Sequence, residues 1–368
     1  MILMNDFRAE EPAIRQAMQK AAMQVFESGW YVLGKEVETF EQRWAQICGL
    51  PYGVGVGNGM DALEIALRAS GISSGDEVIT TPMTAFATVL AILRAGAIPV
   101  LADIDSNTAL LSLESVRRCV TPRTRALILV HLYGQVRGMD SWLTLCRDVG
   151  IELIEDCAQA HLASSRGRVA GSMGRVGAYS FYPTKNLGAV GDAGMLVTGD
   201  GFIAQQAVQL RNYGQSERYH HPLLGLNSRL DELQAAILSA RLPWLSIFTA
   251  RRRAIAKKYH LAIKNPHLVL PALPEEEGSH VYHLFVVNCQ QREQLRSHLH
   301  AHGVQTLSHY PVPVHHQQPC IGMVRDPGGL PNAEQHAASC LSLPCHPQMS
   351  EADVEQVIAA VNEFRAPL

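Results

Sequence analysis

Long apolar stretches are missing from this sequence of 368 residues. No run of about 18 apolar residues occurs, so the sequence predicts no membrane span. The first ten residues carry Asp6, Arg8 and Glu10 and lack the apolar segment of a secretory signal peptide. Both absences favour a protein that acts in the cytoplasm.

Paired cysteines and an excess of one charge are absent as well. The eight cysteines include no C-x-x-C pair, and in a chain of this size we expect them to be reduced. Cys340, Cys345 and His346 follow no common zinc spacing, so no metal site is predicted. Lys and Arg total 31 against 34 acids, and this balance gives no reason to expect nucleic acid as a partner.

The sequence does contain material for a large core, since 47% of its residues are hydrophobic. Short apolar runs predict strands at residues 77–80, 98–102, 126–131, 151–154, 178–182 and 195–198. Helical segments separate most of the first four. This alternation predicts an α/β fold with a largely parallel sheet and a ligand site beyond the carboxyl ends of its strands.

The C-terminal third has a different organisation. A helix is predicted within residues 226–243, and a basic helical stretch follows it. A strand over 281–288 and helices over 291–302 and 351–364 then indicate a smaller α+β unit. We therefore place a domain boundary near residue 245, with a large domain over 1–245 and a small C-terminal domain over 246–368.

Lys185 and Asp156 form the most informative pair in the sequence. Lys185 follows a predicted strand, and Asp156 comes directly after an apolar run 29 positions upstream. Pyridoxal phosphate (PLP) chemistry needs both, because the amine forms a Schiff base with the cofactor aldehyde and the carboxylate keeps the ring nitrogen protonated. Each residue alone has an ordinary alternative: a solvated loop lysine, and a carboxylate that caps a helix or pairs with a base.

Other residues near this pair suit the same cofactor. Glycines within residues 53–59 precede a helix predicted over 61–70, and such a helix start favours a phosphate, although a tight turn explains the same pattern. Ser180 offers the phosphate a hydroxyl, and Gln159 is placed to reach the cofactor's phenolic oxygen. His161 fits a core histidine as well as a supporting role.

Three motifs together resemble one family. They are SFYPTK at 180–185, EDCAQAH at 155–161 and GLNSRLDELQAA at 225–236. In their order and spacing along the chain they are similar to the DegT/DnrJ/EryC1/StrS aminotransferases, PLP enzymes of fold type I that act mostly on nucleotide-linked keto sugars. The resemblance covers most of the chain. It implies a large PLP-binding domain with a mostly parallel mixed sheet and a smaller C-terminal α+β domain.

The resemblance also implies roles for individual residues at the reacting centre. Lys185 matches the Schiff-base lysine, Asp156 the partner of the pyridine nitrogen and Gln159 the residue beside the cofactor hydroxyl. An aromatic residue often stacks on the cofactor in this family. Here Ala85 stands at that position, so the adjacent Phe86 is our candidate, with Met83 nearby.

The phosphate site implied by the resemblance consists of Ser180 and the backbone of Gly59 and Met60. Met60 stands where many relatives have Thr or Ser, so a hydroxyl contact is missing. Asn227 matches an asparagine that reaches the phosphate from the neighbouring subunit, which implies a homodimer with shared active sites. An N-cap for a helix over 230–242 is the alternative role of Asn227.

The resemblance implies transamination. Glutamate donates the amino group, and a nucleotide-linked keto-deoxysugar, expected to carry dTDP, accepts it to give an amino sugar. Lys185, once freed, moves the proton between substrate and cofactor. Arg211, Arg218 and Arg229 are candidates for the diphosphate, although each also fits a surface ion pair.

Three alternative functions stay open. In the first alternative, the enzyme transaminates a cyclic ketone that is not linked to a nucleotide, such as the ketone of a cyclitol. The second is a sugar dehydratase, which Lys185 disfavours because dehydratases of this family typically carry His there. The third is a regulator with a PLP fold, which usually has an added nucleic-acid domain or a lost lysine, and neither is visible in this sequence.

Overall fold

A seven-stranded sheet forms the centre of the fold, and the structure, a computed structural model, describes residues 1–366. The strands in chain order are β1 (Tyr52–Val56), β2 (Glu77–Thr80), β3 (Ile98–Leu101), β4 (Thr124–Val130), β5 (Glu152–Asp156), β6 (Ser164–Ser165), β7 (Arg168–Val169), β8 (Val176–Ser180), β9 (Gly194–Thr198), β10 (Phe285–Asn288) and β11 (Cys340–Leu343). The central sheet has the order β1-β9-β8-β5-β4-β2-β3. Strands β3, β2, β4, β5 and β8 pair in parallel, whereas β9 runs antiparallel to both of its neighbours. The sheet is therefore mostly parallel and mixed, as the sequence predicts.

Helices cover both faces of this sheet. They are α1 (Pro12–Ser28), α2 (Lys35–Ile47), α3 (Gly59–Ala69), α4 (Phe86–Arg94), α5 (Leu113–Cys119), α6 (Met139–Val149), α7 (Gly201–Leu210), α8 (Glu232–Arg241), α9 (Leu245–Ala262), α10 (Arg292–Ala301), α11 (Pro331–Ser339) and α12 (Glu351–Glu363). None of the helices within residues 1–366 has both the length and the apolar character needed to cross a bilayer.

The strand β4 shows why the sequence pattern is a continuous apolar run. Ala126 and Ile128 pack into the core on one face of the sheet, while Leu127 and Leu129 pack into the core on the other. A strand buried on both faces needs apolar residues at successive positions. The same requirement accounts for the close agreement between the predicted and observed strands β2 to β5.

A third core belongs to the C-terminal part of the chain. It contains residues of α9, β10, α10, β11 and α12, and Ile2 from the N-terminus joins it. Other C-terminal residues, including Leu284 and Ala333, pack into the core beside the central sheet. The boundary near residue 245 stays a prediction, and a helix begins at Leu245.

Two predicted elements begin later than expected. The strand predicted over 281–288 is paired only from Phe285, because Tyr282 has a left-handed backbone (φ 45°) that interrupts an extended chain. The helix predicted within 226–243 begins at Glu232. Asp231, which precedes it, has an extended backbone, and farther upstream the backbone N–H of Leu226 donates to the carbonyl of Leu210 at 2.7 Å.

Candidate active site

The carboxyl ends of β5 and β8 form the centre of the candidate site. These strands are parallel neighbours in which Asp156 pairs with Ala178. Asp156 is the last residue of β5 and Ser180 the last of β8. Lys185 follows five residues later, in the loop between β8 and β9. The fold thus brings Asp156, Ser180 and Lys185 to one edge of the sheet.

Asp156 is a buried carboxylate with few partners. Thr88 Oγ1 donates to its Oδ2 at 2.9 Å, and the backbone N–H of Ala158 donates to its Oδ1 at 3.1 Å. Burial raises the pKa of Asp156, while these two hydrogen bonds and the charge of Lys185 act in the opposite direction. The hydroxyls of Thr88 and Thr84 lie 2.8 Å apart. A buried anion held in this way suits a cationic partner.

Lys185 is partly buried in a tight loop. Burial lowers its pKa to about 8, and the carboxylate of Asp156 opposes this shift. An amine with this pKa exchanges protons near neutral pH. Its backbone N–H donates to the carbonyl of Tyr182 at 2.8 Å. Gly188 closes the loop, since a Cβ there would lie 2.2 Å from the carbonyl oxygen of Pro183.

The first turn of α3 faces the end of β8. Gly59 and Met60 begin this helix, and in residues 1–366 neither backbone N–H has a hydrogen-bond partner. A Cβ added at Gly59 would lie 2.6 Å from Ser180 Cβ, so the helix start and Ser180 are in direct contact. Two free N–H groups beside a hydroxyl at a helix N-terminus suit a phosphate.

The glycines upstream of this turn do not form the phosphate site but allow close packing on β1. Gly53 and Gly55 lie within β1 and not in a turn. A Cβ at Gly53 would lie 2.8 Å from the carbonyl oxygen of Glu41, and one at Gly55 would lie 2.9 Å from Leu230 Cβ. These two glycines let α2 and the segment before α8 pack closely on the edge strand.

Gln159 is held by two tyrosines that no sequence motif singles out. Its Oε1 accepts from the backbone N–H of Tyr133 at 2.6 Å, and its Nε2 donates to the hydroxyl of Tyr310 at 3.3 Å. Burial raises the pKa of Tyr310 to about 12, and the charge of Asp156 acts in the same direction. The phenol of Tyr310 therefore stays protonated and lies near the carboxylate of Asp156.

Glu155 and His161 flank Asp156 in sequence but serve the structure. Glu155 accepts from the backbone N–H groups of Gly171, Met173 and Gly174 and lies 2.8 Å from His131 Nε2. His161 packs against the rings of three residues, Trp44, Tyr179 and Phe181. Burial lowers its pKa to about 3, so it is a neutral core histidine.

The aromatic candidate Phe86 is the first residue of α4, two positions before Thr88, which holds Asp156. Its side chain is partly buried and packs on the edge of the core. Met83 is fully enclosed in that core. Ala85 precedes the helix and has only a methyl group. Phe86 is thus the member of this trio with an aromatic ring at a partly accessible position.

Asn227 is exposed, and Asp231 rather than Asn227 precedes the helix α8. The alternative role as an N-cap is therefore wrong, because Asn227 instead pairs through its backbone with Asn212. Arg211 is not available for a diphosphate either. It is buried, pairs with Glu41 and donates to the carbonyl of Gly55 at 2.7 Å.

The comparison with known families agrees with this geometry. The model of the DegT/DnrJ/EryC1/StrS aminotransferase family matches residues 12–362. The chain belongs to this family.

Two curated relatives are similar over nearly the whole chain. A dTDP-3-amino-3,4,6-trideoxy-alpha-D-glucose transaminase of Streptomyces venezuelae is 44% identical over 98% of this chain and 95% of its own. A dTDP-3-amino-3,6-dideoxy-alpha-D-galactopyranose transaminase of Aneurinibacillus thermoaerophilus is 43% identical over 99% of each. These enzymes confirm that the resemblance extends to sugar aminotransferases.

Solved structures confirm the fold. DesV of S. venezuelae has a TM-score of 0.95 at 43% identity and covers 98% of both chains. NtdA of Bacillus subtilis, with bound PMP, has a TM-score of 0.88 at 26% identity, over 96% of this chain and 82% of its own. This aminotransferase therefore depends on PLP, as predicted, and PMP is the aminated form of that cofactor.

The residues present fit PLP at three points. The phosphate suits the free N–H groups of Gly59 and Met60, and Ser180 lies against them. Asp156 is a buried anion that lacks a full set of partners. Lys185 provides an amine whose pKa is lowered to about 8.

Proposed function

We propose that the aminotransferase holds PLP between Asp156 and Lys185. The observation that carries this proposal is the placement of the two groups: Asp156 ends β5, and Lys185 follows β8, the parallel neighbour of β5. The charge of each group also acts on the pKa of the other. Gln159 adds a contact on the side of the cofactor hydroxyl, and Phe86 provides an aromatic face. Ser180 and the first turn of α3 (Gly59 and Met60) take the phosphate.

Each residue then has a defined task. Bound PLP supplies a carbonyl that takes up the amino group and a ring that accepts electron density from the substrate. Asp156, oriented by Thr88 and Ala158, holds a proton on the ring nitrogen. Lys185 Nζ, with a pKa of about 8, takes the proton from the substrate carbon and delivers it to C4′ of the cofactor.

The substrate proposed is a dTDP-linked 3-keto-deoxysugar, with glutamate as the amino donor. The two relatives described above are named for products that carry the amino group at C3 of a dTDP sugar. Their identity of 43–44% over nearly the full chain supports the same class of acceptor here. The expected cytoplasmic location stays a prediction.

A panel of acceptors tests this function. We expect purified enzyme with glutamate to aminate dTDP-linked 3-keto sugars, detected by mass spectrometry of the amino sugar. The panel includes dTDP-linked 4-keto sugars, UDP-linked 3-keto sugars and a cyclitol ketone as matched controls. If the enzyme aminates the 4-keto sugars or the cyclitol ketone faster than the dTDP-linked 3-keto sugars, the assigned acceptor is refuted. No turnover with any member of the panel would favour a regulator.

A homodimer with shared sites completes the proposal. Asn227 is exposed in the single chain and lies before α8, in a segment that pairs with Asn212. Exposed aromatic residues are also present, including Trp30, Tyr31 and Tyr182, which are 62%, 53% and 51% exposed. Such side chains are typical of a surface that a second subunit covers. In the dimer Asn227 reaches the phosphate in the partner's site.

Mixing two inactive variants tests whether the sites are shared. In a dimer of Lys185→Ala with Asn227→Ala, one site has both defects and the other has neither. Dissociation and random reassociation of equal amounts should therefore restore about a quarter of the wild-type activity. Activity that never exceeds the sum of the two separate variants would contradict a site shared across the interface.

A further inference from the structure

Arg252, on α9, is a buried cation that hydrogen-bonds to carbonyl groups rather than to a carboxylate. It is 4% exposed, and its Nη1 donates to the carbonyl oxygens of Tyr282, His283 and Cys345 at 3.3, 3.1 and 2.7 Å. In the part of the chain that the structure describes, its Nε is buried without a partner. Burial lowers the pKa of Arg252 to about 10, so the side chain is charged at neutral pH.

A cavity of about 90 Å³ lies beside this guanidinium. The polar residues that line the cavity are Asn5, Thr184, Arg252, His283 and His309. Apolar side chains and Cys345 form the rest of its wall. No acidic residue of the described chain lines it. A cavity of this size has room for several water molecules and thus for a carboxylate.

The cavity is next to the reacting lysine. Thr184, which precedes Lys185, lines both this cavity and a smaller one of about 20 Å³ that Lys185 itself lines together with Arg252. Burial lowers the pKa of His309 to about 4, and the charge of Lys185 adds to that effect. The same two causes lower the pKa of His283. Both imidazoles are therefore neutral beside the charged guanidinium.

We propose that Arg252 binds a carboxylate of the amino donor and so forms the donor subsite of this enzyme. The inference rests on the proposed transaminase function. An anion in the cavity would compensate a buried cation that now meets only carbonyl oxygens, and guanidinium binds carboxylate in a strong charged pair. A sugar nucleotide is far too large for 90 Å³, whereas one end of a glutamate fits. Donor and acceptor react at the same cofactor, but the nucleotide of the acceptor lies outside this cavity.

Two half-reactions separate this inference from the proposed function. In the first half-reaction the PLP-loaded enzyme takes the amino group from glutamate. In the second the PLP-loaded enzyme takes the amino group from the dTDP-linked 3-amino sugar. We expect Arg252→Met to slow the first by about ten- to a hundredfold, with the second changed less than about threefold. Arg252→Lys keeps the charge and should recover part of the loss. Calorimetry with 2-oxoglutarate should show a matching loss of affinity.

The outcomes distinguish the two levels of the proposal. A wild-type enzyme inactive in both half-reactions would overturn the proposed function itself. An active wild type whose Arg252→Met variant loses both half-reactions equally, or neither, would overturn only the donor subsite.

A ligand-side comparison covers the case in which Arg252→Met does not fold. Wild-type enzyme is compared on glutamate, on its α-amide and on its γ-amide. Strong discrimination against one of the amides supports a carboxylate subsite. Equal rates with all three donors would overturn it.

Discussion

Lys185→Ala is expected to abolish transamination while the protein still binds PLP. Lys185 Nζ is the proton carrier of the proposed mechanism, and its pKa of about 8 suits that task. Loss of a general acid–base group of this kind costs about a thousandfold in rate. The measurement is the formation of 2-oxoglutarate from glutamate in a single turnover, with the bound cofactor quantified after dialysis.

The matched control for this variant is Lys257→Ala. Lys257 is an exposed lysine on α9, so its loss should leave the rate unchanged. A small primary amine added to the Lys185→Ala enzyme should restore part of the turnover, because it supplies the missing proton carrier. Turnover at the wild-type rate without added amine would remove Lys185 from the chemistry.

Asp156→Asn should reduce the rate by roughly a hundredfold or more. The amide keeps the size of the side chain: its oxygen accepts from the backbone N–H of Ala158 in place of Oδ1, and its NH2 group donates to Thr88 Oγ1, which accepts instead of donating. It removes the negative charge that holds a proton on the cofactor's ring nitrogen. The same single-turnover assay measures the loss, and a thermal unfolding curve checks that the fold is intact.

Asp148→Asn is the matched control for the second variant, because Asp148 is exposed on α6. Burial raises the pKa of Asp156, so a neutral side chain at this position costs the apoprotein little stability. We therefore expect the apoprotein of Asp156→Asn to be at least as stable as wild type. A full rate in this variant would show that the negative charge at position 156 has no part in the reaction.

The reacting centre could be predicted from sequence because it follows from local rules. Asp156 ends a short buried strand with Leu153 and Ile154 at its centre, and Lys185 follows the neighbouring strand of the parallel sheet. Parallel neighbours bring such residues to one edge wherever the rest of the chain goes. The family motifs around them supplied the cofactor and the reaction, and the family match and relatives confirm both.

Residues that act through distant contacts were not predictable. Tyr133 and Tyr310 meet Gln159 across 26 and 151 positions, and no periodicity links them. Thr84 and Thr88 had one weak signal, a spacing of one helical turn. Arg211 was misjudged as a ligand candidate, because its partner Glu41 lies 170 positions upstream and no local pattern reveals a buried ion pair.

The sequence by itself determined the order of strands and helices, the family, and the lysine and aspartate at the centre, since periodicity and short motifs act over a few residues. Only the tertiary structure decided which groups are desolvated and which neighbours they meet. It lowered the pKa of the amine at 185, buried the guanidinium of Arg252 beside a cavity and left Asn227 exposed. Burial and charge compensation are properties of the folded chain, because they arise between segments that only the fold brings together.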